Sequence, residues 1–338
     1  MVKFPKQIVL DHGSGGKASQ ELIEGAFLPF FDNPLLRDMN DSAVFEIGGV
    51  KLAFSTDSYT VNPIIFPGGD IGCLAIHGTV NDLAMRGARP LYLSVGLILE
   101  EGMRGETLEK ILTSMQRAAK EAGVCVITGD TKVVPKGQVD KIFINTSGIG
   151  VIEGDYHIAG QNAKPGDLVL INGTIGDHGM CILSQREGLG LETPLESDTA
   201  PLNGLVEAIL KVCPDVHTMR DPTRGGVATT LNEIAKQSQV GIELWEDKLP
   251  FKESVLGAAE LLGIDPLYLA NEGKVLVIVP KEKAEDVLAV MQAHPYGKEA
   301  VVIGEVKPEP RGKVWMRTQL GSKRLIDMLT GEPLPRIC

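Results

Sequence analysis

The last residue of the chain, Cys338, is a thiol at the end of the segment Gly331-Glu332-Pro333-Leu334-Pro335-Arg336-Ile337-Cys338. Prolines at alternate positions fix φ and remove N–H donors, so the segment reads as an extended arm with no packed structure of its own. At about 3.3 Å per residue it spans roughly 25 Å, enough to carry its sulfur into a cleft. The other cysteines, at 73, 125, 181 and 213, make no Cys-x-x-Cys pair, and five is an odd total. That pattern is neither a zinc site nor a disulfide framework. Cys73 and Cys125 lie in apolar runs and read as inert core residues, as do Cys181 and Cys213. Cys338 is left as the reactive candidate.

Acidic and glycine-rich stretches supply the other candidates. Residues 44–47 and 50–54 flank Gly48-Gly49 and read as a tight hairpin, with Asp41 before it and Asp57 after it. Antiparallel pairing sets those ends side by side. Two carboxylates there suit Mg²⁺, which takes one or two carboxylates plus phosphate oxygens and water; ordinary turn aspartates fit the pattern equally. His12-Gly13-Ser14-Gly15-Gly16 leads into Lys17 and a helix through residue 30, after a short apolar strand. Glycines there can turn N–H groups towards an anion, although the spacing is not a Walker loop and a helix-entry turn explains it as well. Gly129-Asp130-Thr131-Lys132 is read at the end of a strand over 124–128. Thr218 to Gly226 packs Arg220, Asp221 and Arg224 ahead of a helix, and Asn271-Glu272-Gly273 precedes a strand over 274–279.

The elements that must hold these groups follow from pattern. A helix over 71–85 carries His77, Asn81 and Asp82, and a buried strand covers 91–99. A helix over 106–122 puts Leu108, Ile111, Leu112, Met115 and Ala119 on one face. Strands at 141–151, 168–171 and 301–306 and helices at 177–186, 202–212 and 282–293 complete the reading. With 338 residues the chain suits two domains. They are read as 1–154 and 155–306, with 307–338 trailing off through a basic hairpin around Gly321 to the cysteine arm.

A formal charge of −11 argues against nucleic acid, whose phosphates are held by Lys and Arg. No apolar run approaches a membrane span and the amino terminus lacks a secretory stretch, so a cytoplasmic protein is expected.

Asp82-Leu83-Ala84-Met85-Arg86-Gly87-Ala88-Arg89-Pro90 matches the Asp-x4-Gly-Ala-x-Pro signature of the ATP-binding superfamily named after aminoimidazole ribonucleotide synthetase. With Asp11 to Lys17, Ser55 to Ser58, His77 to Asp82, Gly129 to Lys132, Arg220 to Gly226, Asn271 to Gly273 and Pro335 to Cys338, nearly the whole chain resembles that superfamily's hydrogenase-maturation carbamoyl dehydratases. The resemblance implies a two-domain fold, α/β then α+β, with mixed sheets flanked by helices and the N-terminal sheet pairing with its twin in a homodimer. It implies ATP-dependent dehydration of a carbamoyl group on the Cys338 sulfur to a thiocyanate, the source of a cyanide ligand for [NiFe] hydrogenase iron. The implied partners are a carbamoyltransferase that loads Cys338 and an iron-bearing maturation scaffold. Asp41, Asp82 and Asp221 would hold Mg²⁺, and Lys17, Asp57, Asn81, Asp130 and Thr131 would line the ATP site. Lys132 and Glu272 are candidates to orient the carboxamide and move its protons; Lys132 could instead clamp phosphate, and Glu272 could be a satisfied turn residue. A carrier that moves the loaded thiol without altering it remains the alternative.

Overall fold

The computed structural model describes residues 2–186, 195–331 and 336–338. Short helices α1 (Lys17–Leu22), α2 (Leu28–Phe31) and α3 (Pro34–Arg37) precede the first sheet, and a π-helical turn, Ile23–Phe27, joins α1 to α2. The segment before α1 is a 3₁₀ turn, Leu10–Gly13, and not the strand that its apolar residues suggest. Its side chains are exposed, so no sheet face rewards an extended backbone there.

Strands β1 (Ala43–Ile47) and β2 (Val50–Tyr59) form the expected hairpin, with Ile47 opposite Val50 across Gly48-Gly49. Both glycines have positive φ, the conformation such a two-residue turn requires. A small pair, β3 (Ile65–Phe66) and β4 (Gly69–Asp70), leads to α4 (Ile71–Ala84). Asp70 caps α4 by accepting from Gly72 N–H at 2.7 Å and Cys73 N–H at 3.1 Å. Strand β5 (Arg89–Glu100), α5 (Gly105–Ala122), β6 (Cys125–Val134) and β7 (Ile142–Val151) follow. The sheet order is β1-β2-β7-β5-β6, with α4 and α5 on one face.

Two expectations change here. Gly129 to Lys132 lie inside β6 and not in a loop beyond it. Because β6 is the edge strand and exposed along almost its whole length, Cys125 is exposed instead of being a core residue. Cys73, Cys181 and Cys213 are buried as expected. On α5, Leu112 is 44% exposed and Ala118 takes the core position instead.

The second domain adds β8 (Leu168–Ile171), α6 (Asp177–Ser184), α7 (Asn203–Val212), β9 (Thr218–Arg220), α8 (Gly226–Ser238), β10 (Gly241–Trp245), α9 (Glu253–Leu262), β11 (Leu276–Val279), α10 (Ala284–Ala293), β12 (Val301–Lys307), β13 (Lys313–Arg317) and β14 (Lys323–Ile326). Among the described residues these strands form one sheet, ordered β14-β13-β10-β12-β8-β11-β9. The hairpin around Gly321 is β13–β14. It belongs to that sheet's core through Val314, Met316 and Ile326 and does not trail off. Hydrophobic packing runs between the domains: Met180, Cys181, Ile182 and Leu183 of α6 share a core with α4 and α5. Among the described residues no helix is long and apolar enough to cross a membrane.

Candidate active site

Alternation along β2 turns Ser55, Asp57 and Tyr59 to the α4 side of the sheet, where Asp82 of α4 meets them. Across the cleft, β9 ends at Arg220, so Asp221 and Arg224 emerge at its tip, and Glu272 stands on the loop before β11. Each group is carried by a strand, a helix or a short loop at a strand end, which fixes its direction.

The acids are packed beyond what water would tolerate. Burial, then the charges of Asp221, Asp57 and Asp41, lifts Asp82 well above the carboxylate range. Asp221 is pushed up to about 8, first by burial and then by Asp41. Asp41 is raised by burial against the opposing pull of Arg220 and Arg86. Ser55 Oγ lies 2.5 Å from Asp82 Oδ2 and 3.0 Å from the Asp41 carbonyl. One hydroxyl has one proton, so both contacts are satisfied together when Asp82 is protonated and donates to Ser55. Asp41 Oδ1 is 2.6 Å from Arg220 Nε, while its buried Oδ2 lacks a hydrogen-bond partner. A divalent cation fits this set, since it would occupy the orphaned oxygen and relieve the mutual repulsion. Among the described residues no three such side chains form a metal cage by themselves. Phosphate oxygens and water would have to complete the shell, as Mg²⁺ prefers.

The chain's end lies in this cleft. Ile337 is 5% exposed and joins the shared core, with Cys338 packed against it. The Thr60 N–H donates to the Cys338 main-chain oxygen at 2.8 Å and the Asn62 N–H to the Arg336 carbonyl at 3.1 Å, extending β2 with a strand-like pairing. Arg336 donates to the Thr60 carbonyl at 2.8 Å, pairs with Asp140 at 2.7 Å and stacks on Phe143. The last three residues are therefore seated, unlike an arm without packing; the proline-bearing residues 332–335 lie outside the described residues. Arg224 is held in its charged form chiefly by the charge at Cys338, with Asp57 and Glu272 also near and burial opposing them. Glu272 is buried with Oε1 unpartnered, and burial, then the charges of Asp198, Asp221 and Asp57, lifts its carboxyl well above its ordinary range. Cys338, Arg224, Glu272 and the three aspartates thus share one electrostatic neighbourhood.

Other expected residues stand differently. Asn81 donates to the carbonyls of Ala200 at 3.0 Å and Glu272 at 3.4 Å and accepts from Leu202 N–H at 2.8 Å, so its amide is committed to holding backbone. The Lys17 ammonium is exposed, 4.0 Å from Glu21. In the glycine loop the Gly15 N–H goes to Ser19 and the Gly16 N–H to Ser14. Its glycines are needed for close approach: a Cβ on Gly15 would lie 2.8 Å from Arg224 Cβ, and one on Gly16 would lie 2.3 Å from the Leu329 carbonyl oxygen. Asp130 and Lys132 pair at 2.9 Å on the exposed β6, with Thr131 between them. Asp130 is opposite Gly96 and Lys132 opposite Ile98, three strands across from Asp57. Strand spacing and rise put Lys132 about 17 Å from Asp57. The chain does not bring Lys132 to its own acids.

Sequence reading missed Tyr59, His178 and the 195–201 segment. Arg224 was visible in its basic, glycine-rich stretch, whereas a lone histidine in an apolar helix gives no signal.

Residues 39–152 match the family described as AIR synthase related protein, N-terminal domain, and residues 164–317 match AIR synthase related protein, C-terminal domain. The chain is 52% identical to carbamoyl dehydratase HypE of Azotobacter vinelandii, over 97% of this chain and 96% of that protein. Among solved structures it resembles a chain of a HypE-HypF complex, with 54% identity, a TM-score of 0.87 and coverage of 91% of this chain and 99% of that one. It also resembles HypE in complex with ATP, with 55% identity, a TM-score of 0.83 and coverage of 98% and 100%.

Proposed function

Because the chain belongs to the carbamoyl dehydratase HypE family, with its two-domain AIR synthase related fold, we propose that it converts a carbamoyl group on its own Cys338 sulfur to a thiocyanate. The observation that carries this reading is the seating of Cys338 on Thr60 at the end of β2, the strand that bears Asp57, with the charge at Cys338 acting on Arg224. Similarity to HypE in complex with ATP supports ATP as co-substrate, and similarity to a chain of a HypE-HypF complex supports a carbamoyltransferase that loads the thiol. The thiocyanate would then pass to an iron-bearing scaffold as the source of a cyanide ligand.

The balance is simple: an S-bound carboxamide and ATP give a thiocyanate, ADP and phosphate, with the carboxamide oxygen leaving on the phosphate. ATP supplies the phosphoryl group that makes this oxygen a leaving group, and Mg²⁺ neutralises phosphate charge. Asp41, Asp82 and Asp221 would hold the cation, and Asp57 would face the nucleotide. Arg224 would balance negative charge at the Cys338 end of the tail. Glu272, whose carboxyl is raised above its ordinary range by burial and then by the charge of Asp198, is a stronger base when ionised than a free glutamate, which suits it to taking a nitrogen proton. Asp130, Thr131 and Lys132 can act only across a subunit boundary. A second copy suits that face of the first sheet, where Phe54, Ile149, Tyr92 and Cys125 form one cross-strand row and Phe54 and Tyr92 are 45% and 46% exposed.

Intact mass spectrometry with the carbamoyltransferase and carbamoyl phosphate, before and after MgATP, tests the proposal. The expected result is an adduct that requires Cys338 and then loses one water; in Glu272→Gln the adduct forms and persists. An adduct that never loses water while ATP is consumed would make the chain a carrier. Adduct formation on Cys338→Ala would remove the thiol from the chemistry.

A further inference from the structure

His178 on α6 lies outside the acidic cluster, is fully buried and makes two hydrogen bonds. Its Nε2 is 2.8 Å from the Ile337 carbonyl, which can only accept, so Nε2 carries the proton. Burial holds the imidazole below its usual pKa, which keeps it neutral. Its Nδ1 must then accept, and Ser197 Oγ stands 2.8 Å away to donate. Ser197 Oγ in turn accepts from the Thr199 N–H at 3.2 Å. The result is a one-way chain of donors, from Thr199 N–H through Ser197 and His178 to the last peptide carbonyl of the tail.

The neighbouring residue extends the arrangement to the proposed base. Asp198 Oδ1 accepts the Glu272 N–H at 3.0 Å and its Oδ2 pairs with Lys274 at 2.8 Å, both buried. A Cβ on Gly273 would lie 1.8 Å from the Asp198 carbonyl oxygen, so this contact leaves no slack. One short segment therefore grips the tail through Ser197 and the Glu272 loop through Asp198. We infer that His178, oriented by Ser197, is a positioning residue that sets how deep the tail carrying Cys338 seats, with Asp198 fixing the Glu272 loop from the same short segment. This deepens the dehydratase reading and rests on it for the catalytic arm of the test only.

The full-length protein answers the question in two independent ways. In His178→Leu, alkylation of Cys338 by N-ethylmaleimide, resolved from the exposed Cys125 by peptide mass, should rise about tenfold, the effect of losing one buried hydrogen bond. Loading by the carbamoyltransferase should be unchanged or faster, while single-turnover water loss after MgATP slows about tenfold. His178→Gln, whose amide can donate to the same carbonyl, should restore both rates towards the wild type. If His178→Leu fails to fold, Ser197→Ala frees the imidazole while keeping the packing and should move both rates in the same directions. Unchanged alkylation in a folded variant overturns the inference. If the wild-type adduct never loses water, the dehydratase reading fails, and the alkylation arm still decides whether His178 seats the tail.

Discussion

Ile337→Ala isolates the apolar part of tail seating. The side chain is 5% exposed and sits against the shared core, and cutting it to alanine forfeits about 2 kcal/mol of burial. Because residues 336–338 belong to no helix or strand, the loss falls on the docking equilibrium and not on the fold. At 1.36 kcal/mol per tenfold, docking weakens about thirtyfold. The Thr60 and Asn62 amides report this directly, since they donate to the Cys338 and Arg336 main-chain oxygens. Hydrogen exchange resolved to a peptide spanning these residues should quicken by at most about thirtyfold, reaching the rate of an unprotected amide if docking is marginal. Amides inside β2 and β7, paired across the sheet, should not change. Equal exchange of Thr60 and Asn62 in both proteins would refute the argument, because it would mean that Ile337 burial contributes nothing to holding the tail.

Two further predictions concern the framework. His77 is 5% exposed and held down to about 4 by burial, so its folded pKa lies below the unfolded value of 6.5. The unfolded chain binds the extra proton between those values, and stability is lost as pH falls through that window, by about 2 kcal/mol between pH 7.5 and pH 5. Urea midpoints at the two pH values should show that loss, and His77→Phe should lack most of it; an unchanged pH response in the variant would exclude His77 as its source. Gly273→Ala drives a Cβ into the Asp198 backbone, which cannot yield as a flexible side chain would, and should cost about 1–3 kcal/mol by chemical denaturation. Wild-type stability would show that this loop relaxes freely.

Much of this organisation is legible in one chain because local rules and the core agree. The hairpin at Gly48-Gly49 and the amphipathic α5 follow from turn chemistry and 3.6-residue periodicity. Failures have one physical source: sequence periodicity does not say what covers an element. The apolar run around Cys125 is an edge strand with open faces, and the one around Leu10 is an exposed 3₁₀ turn. Asp41 stood out by its place beside the hairpin and Asp82 and Asp221 through the family resemblance, whereas the burial that raises them and Glu272 is not written in the sequence. His178, Ser197 and Asp198 are ordinary residues in sequence, and only long-range contacts bring them to the tail and the Glu272 loop. Asn81 stands otherwise: its motif suggested ligand contact, and the structure commits its amide to backbone groups.

On the proposed reading the tail is both carrier and substrate, so it cannot be held too firmly, and the contacts obey that limit. Ile337 burial gives about 2 kcal/mol, and the backbone, His178 and Arg336 hydrogen bonds about 1 each. The Arg336–Asp140 pair, partly open to water, adds at most about 1 kcal/mol. The Thr60 hydroxyl donates to the Cys338 end at 3.2 Å and adds about 1 kcal/mol. These gains come to about 7–8 kcal/mol. Ordering residues 336–338, with a long arginine side chain among them, costs about 5–6 kcal/mol. The difference, of order 2 kcal/mol, leaves the undocked state populated at a few per cent. Loading from outside and dehydration inside can then alternate without a separate step to release the tail. Had Cys338 been anchored by a deep aromatic or by a fully buried ion pair, the same fold would favour conversion and starve loading.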